Sequence, residues 1–125
     1  MSERKTKEVS AARNFYFSLP EKIYCPALKS HVQRSRVAWD HLVQKKARTK
    51  SQTYYRSKVV YHIQNILENS NFYQSHRVEG FCEFWSFQAV VEDICCELVV
   101  RKCGGQAMQL YSFVYKGGTL KNQKR

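Results

Sequence analysis

Between Tyr55 and Leu67 the apolar residues Tyr55, Val59, Ile63, Ile66 and Leu67 recur at the spacing of an α-helix and make one stripe. Thr49-Lys50-Ser51-Gln52 has the form of a capping box in front of it, and Asn69-Ser70-Asn71 ends it. A shorter helix is expected from Ser35, which can serve as its N-cap, through Lys46, with Val37, Trp39, Leu42 and Val43 on its apolar side. After Phe72 the period changes to two. This predicts strands over 80–91, 94–103 and 106–115, with a short extended piece at 72–76. Residues 15–26, interrupted by Pro20 and Pro26, read as irregular and partly extended. Residues 1–14 are polar, basic and aperiodic, and read as a flexible basic arm, with a basic tail at 121–125. What lies between, 15–120, is one domain.

Turn chemistry fixes an expected register. Two-residue turns at Glu92-Asp93 and Gly104-Gly105 pair Val91 with Ile94, Phe87 with Leu98 and Trp85 with Val100 in the first hairpin. In the second they pair Arg101 with Met108, Val99 with Leu110 and Glu97 with Ser112. Alternation then gives one face to Trp85, Phe87, Ala89, Val91, Ile94, Cys96, Leu98, Val100, Tyr111, Phe113 and Tyr115, which is almost wholly apolar. Glu97, Arg101 and Ser112 fall together on the opposite, mixed face. The expected fold is α+β, with two main helices packed on one face of a curved antiparallel sheet of three to four strands.

Charge narrows the partner class. Twenty-one Lys and Arg against ten Asp and Glu give a net charge of +11 over 125 residues, a balance that attracts polyanions. No run of apolar residues is long enough to span a bilayer, and the charged start of the chain has no secretory pattern, so a cytoplasmic location without membrane contact is expected. The five cysteines, odd in number and including the adjacent Cys95 and Cys96, suit reduced thiols. They lack a C-x-x-C pattern and histidines at ligand spacing, so neither a metal site nor a cofactor is expected.

Phosphate-binding glycine loops and the G-x-S-x-G nucleophile pattern are absent. What remains is a scatter of single groups: His41, His62, His76, Arg77, Glu97, Arg101, Lys102, Tyr111, Ser112 and Lys116. Metal-free RNA cleavage needs such groups: one to take the proton from the ribose 2′-hydroxyl, one to protonate the leaving 5′-oxygen, and cations for the charge on the phosphorane. Each has an ordinary alternative. A lone helical histidine is commonly a packing residue, Arg101 and Lys102 close a strand where cations protect an edge, and Ser112 can be a solvated surface residue.

The ordered set Trp39-Asp40-His41-Leu42, Ile66-Leu67-Glu68, Tyr73-Gln74-Ser75-His76-Arg77, Glu83-Phe84-Trp85-Ser86-Phe87, the strand Glu97-Leu98-Val99-Val100-Arg101-Lys102, and Leu110-Tyr111-Ser112-Phe113 resembles the phage-associated nucleases of the barnase, EndoU, colicin and RelE-like (BECR) group. The resemblance implies a RelE-like fold with catalysis on the exposed side of the sheet, and a toxin-like endoribonuclease that leaves a cyclic phosphate. It implies His41 as general acid or base, Arg101 as the phosphate-stabilising cation and Ser112 as a phosphate contact. Arg77, Glu97, Lys102, Tyr111 and Lys116 are then candidates for substrate binding. RNA is the implied partner, with an acidic antitoxin or immunity protein as a further one. The chain departs from the group at Tyr115-Lys116-Gly117-Gly118, where relatives commonly carry a proline. A noncatalytic RNA-binding module, or an inactive member that binds an acidic partner, is the alternative reading.

Overall fold

The computed structural model describes residues 3–44 and 50–117. The proposed cap at Thr49 and the tail at 121–125 lie outside them. The chain opens with a helix, α1 (Glu3–Ser18), so the arm expected over 1–14 is corrected: its described part is helical. The reason is a narrow apolar stripe. Val9, Ala12 and Tyr16 are spaced by three and four, and Ala12 and Tyr16 are buried while Ser10, Ala11, Arg13, Asn14 and Phe15 between them are exposed. A hairpin follows, β1 (Lys22–Cys25) and β2 (Ser30–Gln33), joined by a 3-10 turn at Pro26–Leu28. Then come α2 (Arg36–Gln44), α3 (Lys50–Ser57), a 3-10 stretch Lys58–His62 and α4 (Ile63–Asn69).

The helix expected over the second apolar stripe is therefore real but broken. Ser57 is buried, and its hydroxyl donates to the Tyr54 carbonyl at 2.6 Å. Such local bonding competes with the i to i−4 ladder and accompanies the tightening into 3-10 geometry.

Strands β3 (Ser75–Glu79), β4 (Cys82–Val91), β5 (Ile94–Cys103) and β6 (Gln109–Tyr115) complete a six-stranded sheet of order β1-β2-β6-β5-β4-β3. The α+β class stands. The expected three to four antiparallel strands become a mixed sheet, because β2 joins β6 in parallel through the single pair Gln33–Gln109, and α1 adds a third helical unit. The β4–β5 register is the expected one from Cys82–Cys103 to Val91–Ile94. Its turn places Glu92 and Asp93 at φ of 49° and 68°, the left-handed pair that a two-residue hairpin requires.

The β5–β6 register differs. Val99 pairs with Ser112 and Glu97 with Val114, a slip of two residues from expectation, and a bulge between Val99 and Val100 shifts the remainder by one. A slip of two preserves faces; a bulge reverses them locally. Leu110 therefore enters the core, and Tyr111, assigned to the apolar face by the sequence, moves to the mixed face beside Arg101. The oily face packs under the helices, with Phe87, Leu98, Val100 and Phe113 against Tyr16, Trp39, Leu42, Val59, Ile63 and Leu67.

Cys82 and Cys103 are Cα partners and form a disulfide between β4 and β5, which corrects the expectation that all five thiols are reduced; Cys25, Cys95 and Cys96 take no part in it. Among the described residues no helix is long and apolar enough to cross a membrane.

One buried polar node holds the layers in register. The Ser35 hydroxyl donates to the Leu110 carbonyl and accepts from the Ala38 N–H at 3.3 Å, capping α2 as expected. The Ser35 backbone meets Tyr16, whose hydroxyl donates to the Ser35 carbonyl and accepts from its N–H at 3.1 Å. Ser35→Ala removes the cap and leaves the bulge carbonyl without its donor, so it is expected to cost about 1–3 kcal/mol in denaturant unfolding. A cost within error of zero contradicts this role.

Burial also pushes the Tyr16 phenol up to about 12 from its ordinary 10. The neutral phenol is the form the fold favours, so this contribution is complete below pH 10 and is lost as the pH climbs from 10 toward 12. Urea midpoints at about pH 8 and about pH 11 should fall further for the native chain than for Tyr16→Phe. Equal falls would rule the phenol out as the titrating group.

Candidate functional site

Helices cover one side of the sheet, and the other side carries the groups singled out by sequence. Arg101 on β5 is the Cα partner of Phe84 on β4, and Phe84 of Arg77 on β3. Alternation puts all three on the uncovered face. The Arg101 guanidinium carbon lies 4.5 Å from the centre of the Tyr111 ring, and that ring meets Phe84 edge-on at 5.4 Å. Arg77 sits 4.5 Å over Phe84 on its far side. The result is a contiguous strip of rings and guanidinium groups.

His41 reaches the same strip from α2. Ser35 fixes where that helix starts, and Ala38, Trp39 and Leu42 turn inward. This turns His41 toward β6, where its imidazole meets the Tyr111 ring edge-on at 4.6 Å. Imidazole and guanidinium thus both contact one tyrosine ring, and lie no farther apart than those two distances combined. His41 Nδ1 stands 3.0 Å from the Tyr111 carbonyl. A carbonyl can only accept, so Nδ1 carries the proton and Nε2 is the nitrogen with the lone pair in the neutral ring.

The same edge of β6 is satisfied by side chains farther along. Arg56 donates to the Phe113 carbonyl from Nε and Nη2, at 3.2 and 2.9 Å. Together with Ser35 and His41, it occupies the edge that β2 leaves after its single pair with β6.

Arg101 differs from the other cations. Its Nε is buried and has no hydrogen-bond acceptor among the described residues, and no carboxylate there pairs with it. An N–H held away from water without an acceptor costs free energy, and an anion arriving at the guanidinium recovers that cost. Arg77, in contrast, donates to Glu79 at 2.6 Å.

The remaining candidates divide. Ser112, half-buried, faces the same side as the partner of Val99, one step along the ladder from Arg101. Glu97 does not converge with them as expected. It stands four residues from Arg101 on β5, about 13 Å away, and pairs with Lys116 at 3.7 Å. Those two form a separate ion pair at the other end of the strand. Lys102 alternates away from Arg101 and donates to the Gly104 carbonyl at 3.0 Å. His62 lies 4.0 Å from Glu92, and His76 stacks on Trp85 and bonds Glu83, both apart from the strip.

Sequence reasoning gave no role to Phe84, although the correct β4–β5 register already placed it opposite Arg101. It also missed that Tyr111 joins His41 to Arg101, because no pattern in 109–115 announces the bulge.

Searches of family models, curated proteins and solved structures return no match to this chain. The site therefore rests on its own geometry. Long-range proton–nitrogen spectra should find neutral His41 as the Nδ1–H tautomer. Finding the proton on Nε2 in the neutral ring would remove the hydrogen bond that orients this imidazole.

Proposed function

We propose that this chain is a metal-independent endoribonuclease of toxin-like type, with a fold related to the BECR group and its site on the uncovered sheet face. The observation that carries the reading is His41 and Arg101 meeting on one tyrosine ring, the imidazole oriented by a carbonyl and the guanidinium Nε buried without an acceptor among the described residues. In this reading the His41 Nε2 accepts the proton of a ribose 2′-hydroxyl, whose oxygen attacks the neighbouring phosphorus. Arg101 neutralises the equatorial oxygens of the phosphorane as charge builds on them. The Ser112 hydroxyl contacts the same phosphate. The 5′-oxygen leaves, protonated by the imidazolium or by water, and the product ends in a 2′,3′-cyclic phosphate. The net charge of +11 brings the RNA in, and an acidic antitoxin or immunity protein is the matching protein partner.

A second reading, an RNA-binding module without catalysis, draws support from Glu97. Its pairing with Lys116 leaves His41 as the titratable candidate next to Arg101, whereas general acid–base cleavage commonly uses two such groups.

The test incubates purified protein with total RNA in excess chelator. Cleavage is expected to persist and to leave cyclic phosphate ends. It should fall about 100-fold or more in His41→Ala and in Arg101→Ala, with both variants folded by circular dichroism. Retention of RNA without cleavage, weakening steeply as salt is added, selects the binding module instead.

A further inference from the structure

The register of the sheet extends the site beyond Arg101. Read across the strands, Lys22 on β1 pairs with Gln33 on β2, Gln33 with Gln109 on β6, Gln109 with Arg101 on β5, Arg101 with Phe84 on β4, and Phe84 with Arg77 on β3. Cα partners share a face, so this row crosses the whole uncovered side, about 24 Å at the usual strand spacing. Its cations stand two and three strands apart, roughly 10 and 14 Å.

The far end of the row is a hairpin built to expose what an unpaired nucleotide binds. In β1 and β2, Ile23, Cys25 and Val32 are buried, while Lys22, Tyr24, His31 and Gln33 are exposed. Tyr24 and His31 are Cα partners whose rings meet edge-on at 5.3 Å, and Tyr24 is 47% exposed. The fold gains little from leaving a tyrosine this open beside a histidine; a base stacking on it does gain. Beside these rings Lys22, Ser30, His31, Gln33, Lys102 and Met108 line a recess of about 280 Å³. Lys102 alternates to the other side of β5 from Arg101, yet it lines this recess together with Lys22 and adds a second cation there.

We infer that the outer face of the β1–β2 hairpin is a remote nucleotide subsite for single-stranded RNA, with Lys22 and Lys102 holding phosphate and Tyr24 and His31 stacking a base. The strand would run across the sheet from Arg77 through Arg101 to this recess. The aromatic surface selects a single strand, because bases inside a duplex are already stacked and cannot reach it. This inference deepens the RNA reading of the preceding subsection and rests on it for the ligand class, yet it concerns binding alone and holds whether or not the site cleaves.

The experiment uses the full chain carrying His41→Ala, so that no substrate is consumed. Anisotropy is measured with a labelled single-stranded RNA of on the order of twelve nucleotides and with the same sequence as a duplex. Tyr24→Ala is expected to weaken single-strand binding about 5- to 100-fold. Lys22→Ala should lower the slope of log affinity against log salt by about 0.7, one phosphate contact on a single strand. Both residues are exposed, and unchanged melting temperatures show that the variants are folded. Tyr24→Ala and Lys22→Ala binding the single strand as the parent does, or a parent that prefers the duplex, overturns the subsite. Failure of the nuclease reading looks different: no cleavage by the native chain, while these binding losses remain.

Discussion

A single serine ties together the layers that carry the candidate site. Ser35 is buried, caps α2 through its hydroxyl and gives that hydroxyl's proton to the carbonyl of Leu110. The first bond sets where α2 begins. The second sets where that start sits relative to β6. Tyr16, fully buried on α1, grips the backbone of the same serine. Buried polar groups need partners, and here each partner belongs to a different layer, so satisfying them fixes the layers against one another.

The bulge is the complement of that constraint. Leu110 and Tyr111 are consecutive, yet one enters the core and the other joins the uncovered face. Without the bulge Tyr111 would point under the helices, and His41 would face a strand edge with no ring beside it. With it, the Tyr111 carbonyl orients the imidazole while its ring supports the Arg101 guanidinium. Bulges commonly re-aim a side chain near a functional site, and this one re-aims the residue on which the proposed chemistry depends.

Electrostatics separates the cations that serve the fold from those suited to a ligand. Arg56 is committed to a β6 carbonyl, Arg77 to Glu79 and Lys116 to Glu97. Arg101, whose Nε is buried with no hydrogen-bond acceptor among the described residues, stands to gain from a phosphate. In the proposed reading, the excess of positive charge draws a polyanion toward the surface, and the partially desolvated guanidinium gives it a place to stop.

Much of this was legible in the chain itself. The α+β class, the start of α2 at Ser35, the β4–β5 register and the presence of Arg101 and Ser112 on one face follow from period, cap chemistry and a tight turn, all of which act over a few residues. Four features were not legible: α1, the β1–β2 hairpin, the Cys82–Cys103 disulfide and the swap of Leu110 for Tyr111. Each depends on a partner distant in sequence. The sparse stripe of α1 is stable only because Tyr16 finds Ser35 and the core. The hairpin strands are four residues each, too short to stand out around Pro26, and β2 is held by one pair with β6. The bulge exists because Leu110 fills the core and its carbonyl meets Ser35. Local rules chose the elements and most faces; long-range packing chose which tyrosine, histidine and arginine would share one surface.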